Sequence, residues 1–416
     1  MKKSIAHIAG LVILLFVAEN VGGAQYSMSD LGTLGRLSAW PSGINSGGQV
    51  VWNVLTPDGW NHAFLYNGSG PAQNLGTLGG SSSSASKINN NGQVIGNSNL
   101  VGDTASHAYL YSGSGPIQDL GTLGGSVSFP NDINNNGQVV GASNIVGDPV
   151  EHRLVSYTIQ HAFLYNGSGP LQDLGTLGGL SSGAYGINNN GQVVGEAETA
   201  DGNTHAFLYS GGVMQDLGTL GGNGSQAFGI NDKGQIFGQA TTIDGNVHAF
   251  LYNGSGPMQD LGTLGGSWSQ ASGINSNGQV FGQSSTSDGN FHAFLYDGSG
   301  PLKDLGTLGG AWSQPYAINS NGQIVGDAAT ADGSSHAFLC NGQMEDLNDL
   351  IDQDSGWTIQ SAVGINDSGQ IVCFGVNSSG QSDLFLLTPV PEPSTLILLG
   401  IGLISLLAYG WRRRAK

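Results

Sequence analysis

The stretch HAFLYNGSGPMQDLGTLGGSWSQASGINSNGQVFGQ, from His248 to Gln283, decides the fold. Whole or partial copies of it fill nearly all of residues 26–388. The HAF-type triplet begins at His62, His107 (as HAY), His161, His205, His248, His292 and His336, at intervals of 45, 54, 44, 43, 44 and 44 residues. A fixed period in this range marks a repeat architecture. A unit this short cannot bury its own faces and must stack on its neighbours.

Each copy reads as four short strands. Strand a is the small-residue run ending in Ile-Asn, such as 269–275. Strand b is the Gly-Gln-Val segment at 278–283, strand c is HAFLY at 292–296, and strand d is the PLKDLG type at 301–306. Asn277-Gly278 joins a to b, Asn253-Gly254 joins c to d, and Asp244-Gly245 and Asp288-Gly289 join b to c. Such pairs are expected to supply the positive φ angles of tight hairpins. Strand a recurs at Ile44, Ile88, Ile133, Ile187, Ile230, Ile274, Ile318 and Ile365. The first strand d, residues 26–32, precedes any a, b or c, whereas the last a-b-c set, 361–387, has no d after it. The N-terminal strand therefore completes the last unit. The expected fold is all-β: an eight-bladed β-propeller of four-stranded ~44-residue repeats, its ring closed by the N-terminal strand so that no sheet edge is left open. A linear β-solenoid is the rival, but it gives no reason to begin with part of a unit and end with its complement.

Both ends read as addresses. Residues 1–24 form a signal peptide: Lys2 and Lys3, an apolar run from Ile5 to Ala18, then Gly22-Gly23-Ala24 before a mature start at Gln25. Signal peptidase is the implied partner. At the other end, residues 389–416 hold Pro391-Glu392-Pro393, an apolar run from Leu396 to Gly410, and Trp411 followed by Arg412, Arg413 and Arg414. The run is short for a span of ~20 residues, but Trp411 and the arginines at the interface extend it into a membrane helix with a cytoplasmic basic end. This tripartite tail resembles the PEP-CTERM sorting signal of Gram-negative bacteria. The resemblance implies recognition by an exosortase and removal of the tail. Export then follows to the cell surface or extracellular matrix, often in exopolysaccharide producers. Membrane contact would be limited to the C-terminal helix before processing. A plain membrane anchor is the alternative.

The repeat itself, through HAFLY, DLGTLGG and GIN-x-x-GQ-V-G, resembles the HAF family of bacterial extracellular repeats across 26–388. That resemblance implies an extracellular setting and no activity. Charge agrees with it. The chain carries a net −18, and residues 25–390 alone hold 27 acidic against five basic residues, a net of −22. So acidic a body repels nucleic acid and anionic polymers and favours neutral or cationic partners.

Few residues point to chemistry. The seven triplet histidines each begin a different strand c, so they lie on a ring rather than around one metal. No cofactor or metal is expected, and DLGTLGG lacks the Lys of a phosphate loop. Cys340 and Cys373 are a candidate disulfide in an exported chain, or two separate buried thiols. Glu196 and Glu198 sit two apart and face one side of a strand, yet nothing else converges on them. Departures from the repeat are the better guide. Trp268 and Trp312 occupy the same place in consecutive units, six residues before the Ile of strand a. An insertion within 144–160 holds Glu151, His152, Arg153 and Tyr157. Both should lie on the face shared by the d–a and b–c loops, near Asp201, Asp244 and Asp288, where aromatic faces with a polar rim suit a sugar ring. Inter-blade packing of the tryptophans and a solvated insertion are the plainer readings. The expected function is a non-enzymatic binding or scaffold role at the cell surface or in the matrix, with exopolysaccharide the favoured partner. The alternatives are a polysaccharide-cleaving or modifying enzyme and a purely structural surface protein.

Overall fold

The computed structural model describes residues 25–32, 39–146 and 159–390. Within them the chain is all-β apart from two 3-10 turns, Leu347–Leu350 and Gln353–Ser355. The unit around the quoted stretch shows the plan. Strands Gly265–Ile274, Val280–Thr286, Phe291–Tyr296 and Lys303–Asp304 are a, b, c and d, paired antiparallel in that order.

Strand d is a stub of two residues here, and strand a starts four residues before the sequence reading placed it. The Thr-Leu-Gly-Gly link explains both. Thr263 Oγ1 donates to Gly266 O and accepts from Gly265 N–H, which closes a turn and sends the chain straight into strand a.

The a–b turn also differs from the expected Asn-Gly hairpin. Gly278 alone carries the positive φ (92°), whereas Asn277 does not. The turn is built by the asparagine that follows Ile274. Asn275 Oδ1 accepts from Asn277 N–H and Gln279 N–H, and Asn275 Nδ2 donates to Gln279 Oε1. Its remaining N–H reaches Asn319 O in the next unit. A buried amide with every group partnered is a strong organiser, because any unmet group would carry its full desolvation cost.

That link recurs. Asn45, Asn89, Asn134, Asn188, Asn231, Asn275 and Asn319 each donate to the main chain of the following asparagine, and Asn366 donates to Asn45 O, at distances of 2.9 to 3.2 Å. Strand a of each unit lies beside strand a of the next, and Ala39–Ile44 lies beside Trp357–Ile365. The a strands therefore surround an axis, and the arrangement is propeller-like.

Strand c supplies the packing between units. Successive side chains of a strand point to opposite faces. In Val247–Tyr252, Phe250 and Tyr252 enter one apolar cluster with Ala206 and Leu208 of the unit before. Ala249 and Leu251 enter another with Phe294 and Tyr296 of the unit after. Both faces are thus buried, at roughly 25 cal/mol per Å² of apolar surface. Buried serines fasten the same seam. Ser269 Oγ accepts from Ala249 N–H at 2.8 Å and donates to Gly262 O at 2.6 Å, and Ser128, Ser182, Ser225 and Ser313 repeat the pair of bonds. Strand b lies so close to strand a that a Cβ on Gly282 would stand 2.0 Å from Gln270 O.

At the chain ends, Tyr26–Asp30 pairs antiparallel with Ser382–Pro389, in register from Tyr26 opposite Pro389 to Asp30 opposite Phe385. Gln25 O accepts from Val390 N–H.

Candidate functional site

The triplet histidines are latched one by one. His107, His161, His205, His248, His292 and His336 each place Nδ1 2.6 to 3.0 Å from the aspartate of strand d in their own unit. In Asp119 the same carboxylate accepts from Gly121 N–H, so one aspartate ties strand c to the start of the following link. His62 differs. Asn74 stands where the others have Asp, and His62 Nδ1 is buried with no hydrogen-bond partner among the described residues. Among the described residues no group of three or more His, Cys, Asp or Glu is placed to hold a metal ion.

The b–c turn aspartates act locally. Thr199 and Thr286 donate their hydroxyls to Asp201 and Asp288, and these bonds hold both carboxyls below the usual range. The same contact from Thr330 lowers Asp332 to about 2.

Cys340 and Cys373 are free thiols, so the candidate disulfide is not formed. They belong to separate apolar clusters, Cys340 beside Phe281 and Ala293, Cys373 beside Ile359 and Leu387. Burial pushes both thiols up.

Trp268 and Trp312 lie in strand a at the end nearest the b–c turns, both half-buried. Trp268 sets its ring edge-on against Phe291 of its own unit, centroids 5.6 Å apart. The backbone of Phe291 in turn pairs with that of Trp312. Glu151, His152, Arg153 and Tyr157 lie outside the described residues, as do Pro391, Glu392, Pro393, Arg412, Arg413 and Arg414, the signal peptide and the C-terminal apolar run. Among the described residues no helix is long and apolar enough to cross a membrane.

One layer escaped the sequence reading. Four residues before the Ile of strand a, a residue stands opposite one in the middle of strand b. The pairs include Trp40 with Asn53, Phe129 with Ala142, Gly183 with Glu196, Gln226 with Gln239, and Gln314 with Asp327. In most units the strand-b residue is an amide or an acid that reaches toward the next strand a. Asn53 Nδ2 donates to Ala85 O, Asn97 Nδ2 to Ser128 O, and Gln283 Nε2 to Ser313 O. The two acids are each matched with a tyrosine of their own strand a. Tyr185 donates to Glu196 at 2.5 Å and Tyr316 to Asp327 at 3.3 Å. Burial raises Asp327 to about 6 and, with help from Asp327, raises Tyr316 to about 12. Burial, then Glu196, raises Tyr185 as well. Glu196 faces clefts on both its sides, about 450 Å³ toward Phe129 and about 330 Å³ toward Gln226. The signal in the sequence was a column that varies while its neighbours repeat. Aligning the units by Ile-Asn would have isolated it.

By sequence, residues 389–414 match the PEP-CTERM protein-sorting motif. The motif marks an exported protein of a Gram-negative bacterium, recognised by an exosortase through a membrane-anchored sorting signal. None of the curated proteins compared matches the chain. Among solved structures the chain is similar to puromycin hydrolase, at 14% identity and a TM-score of 0.44, covering 86% of this chain and 61% of that one. It is also similar to the BP39L lectin from Burkholderia pseudomallei, at 12% identity and 0.42, covering 78% and 98%. A third is TolB from Acinetobacter baumannii, at 11% identity and 0.39, covering 88% and 80%. The chain thus spans less than two thirds of the hydrolase, and none of the three says what it does.

Proposed function

We propose that this protein is an exported, non-enzymatic binding or scaffold protein of the cell surface or extracellular matrix, with exopolysaccharide as its partner. In this reading residues 1–24 are removed by signal peptidase and residues 389–416 by an exosortase. Residues 25–388 are then an eight-bladed propeller whose N-terminal strand completes the last blade. The sorting motif at 389–414 is the observation that carries it. It directs the chain out of the cell, and the acidic, amide-rich layer about the axis offers acceptors and donors suited to sugar hydroxyls. The pairing of Tyr26–Asp30 with Ser382–Pro389 supports the closed ring.

The test is binding of the 25–390 chain, which holds every described strand, to a panel of bacterial exopolysaccharides, with reducing ends assayed on the same samples. Saturable binding without new reducing ends is expected. New fragments would establish a polysaccharide-cleaving enzyme instead. Neither binding nor product would leave a purely structural surface protein.

A further inference from the structure

Resting on the glycan-binding reading, we infer that the cleft between the third and fourth blades binds an amino-bearing pyranose of a polysaccharide. The cleft measures about 450 Å³ and is lined by Phe129, Asn131, Gln160, Tyr185, Glu196 and Glu198 among others.

Two truncations open it. At the strand-b position where Asn53, Asn97 and Gln283 bridge to the next blade, the third blade has Ala142. Alanine cannot reach across, and the seam is bridged instead from strand a, where Asn131 Nδ2 donates to Ala184 O at 2.8 Å. On the facing wall the fourth blade has Gly183, where its two successors carry Gln226 and Gln270. Neither truncation belongs to the repeat, and both fall on one cleft.

What remains around the gap suits one kind of ligand. Phe129, opposite Ala142, is 42% exposed despite its place in the sheet. An open aromatic face beside a polar cavity is a platform for the apolar face of a pyranose. Across from it Glu196 is held by the Tyr185 hydroxyl and by Gln226 Nε2, so its carboxylate is fixed in direction. Two residues along the same strand, Glu198 Oε2 accepts from Leu180 N–H, and its other oxygen has no partner among the described residues. Among the described residues no Lys or Arg lines the cleft. Two acids on one wall of a body carrying −22 disfavour uronic acids and phosphosugars and attract an ammonium. A sugar with a free amine satisfies the carboxylates by charge-assisted hydrogen bonds while its ring covers Phe129.

The experiment is calorimetric titration of the 25–390 chain with a glucosamine tetrasaccharide and with its fully N-acetylated counterpart. The amine form should bind, weaken as salt is raised, and exceed the acetylated form by about tenfold or more. Glu198→Gln and Phe129→Ala should each lose about tenfold, whereas Trp40→Ala, at the position of Phe129 in the first blade, should bind as the parent does. All three side chains are at least partly exposed, so unchanged melting curves confirm that each variant is folded. Equal binding of the two sugars, full binding by both cleft variants, or no binding of the amine form would each overturn the assignment. Binding of other exopolysaccharides that survives Phe129→Ala would sink this site while leaving the glycan-binding reading standing. Silence across the whole panel would sink both.

Discussion

The a–b turns and the layer four residues back from them occupy the same inner strands, yet they are written by opposite rules. At the turns every unit places the same asparagine, with the same partners within its own turn and in the next unit. In the layer, successive units place Trp40, Ser84, Phe129, Gly183 and Gln226. A side chain whose every polar group is matched within the protein has nothing left for a ligand, and its repetition fixes shape. A side chain that differs from its counterparts does not serve that shared purpose, and where it is exposed, as Phe129 is, it is free to meet something else.

The largest expected effect breaks the first region. Asn188 donates to Gln192 Oε1 and Asn231 O and accepts from Asn190 and Gln192 N–H, all in a buried turn. Asn188→Ala should cost about 3 kcal/mol, since it leaves several main-chain groups unpaired at once. Urea unfolding reads it as a drop in midpoint, and an unchanged midpoint would deny the asparagines their organising role.

The second test addresses the varied layer. Burial raises Asp327 to about 6, above its ordinary 3.8. The folded state therefore holds the proton more tightly than the unfolded one, and stability falls as pH rises from about 4 through about 6. Asp327→Asn should remove that slope and stabilise the protein by about 1 kcal/mol at pH 7, after discounting for partial exposure. Melting temperatures at pH 4.5 and 7.5 decide it: the variant should gain only at the higher pH.

The smallest effect sharpens the comparison within the repeated elements. The first unit has the latch histidine without its aspartate, and His62 Nδ1 has no hydrogen-bond partner among the described residues. Asn74→Asp restores the pair seen at His107 and Asp119. The partly exposed setting limits the gain to about 0.5 kcal/mol, seen as a small rise in melting temperature.

Much of the strand plan was legible because it rests on local chemistry repeated many times. HAFLY alternates correctly for a strand buried on both faces, and the N-terminal part-unit announced its pairing with the last one. The limits of strands a and d were not legible, because the Thr-Leu-Gly-Gly turn owes its shape to the Thr263 hydroxyl as well as to the positive φ of Gly265. The turn-building asparagine was assigned to the wrong position for a similar reason. Asn277-Gly278 has the familiar hairpin signature, but the side chain that satisfies the turn is Asn275. Trp268 and Trp312 drew attention by size, whereas the cleft beside Glu196 is lined by Ala142 and Gly183, which are conspicuous only through what they lack. Small residues in a glycine-rich chain do not stand out until the units are laid over one another.

The pairing of the chain ends has a mechanical consequence. The C-terminal tail leaves from Ser382–Pro389, a strand flanked on one side by Tyr26–Asp30 and on the other by Ile371–Asn377. Tension applied through that tail pulls along the strand. It loads both ladders in shear, so their hydrogen bonds share the force instead of parting one after another. A protein held by its C-terminus during export is thus gripped at a seam that resists drag, with its first strand serving as half of the clamp.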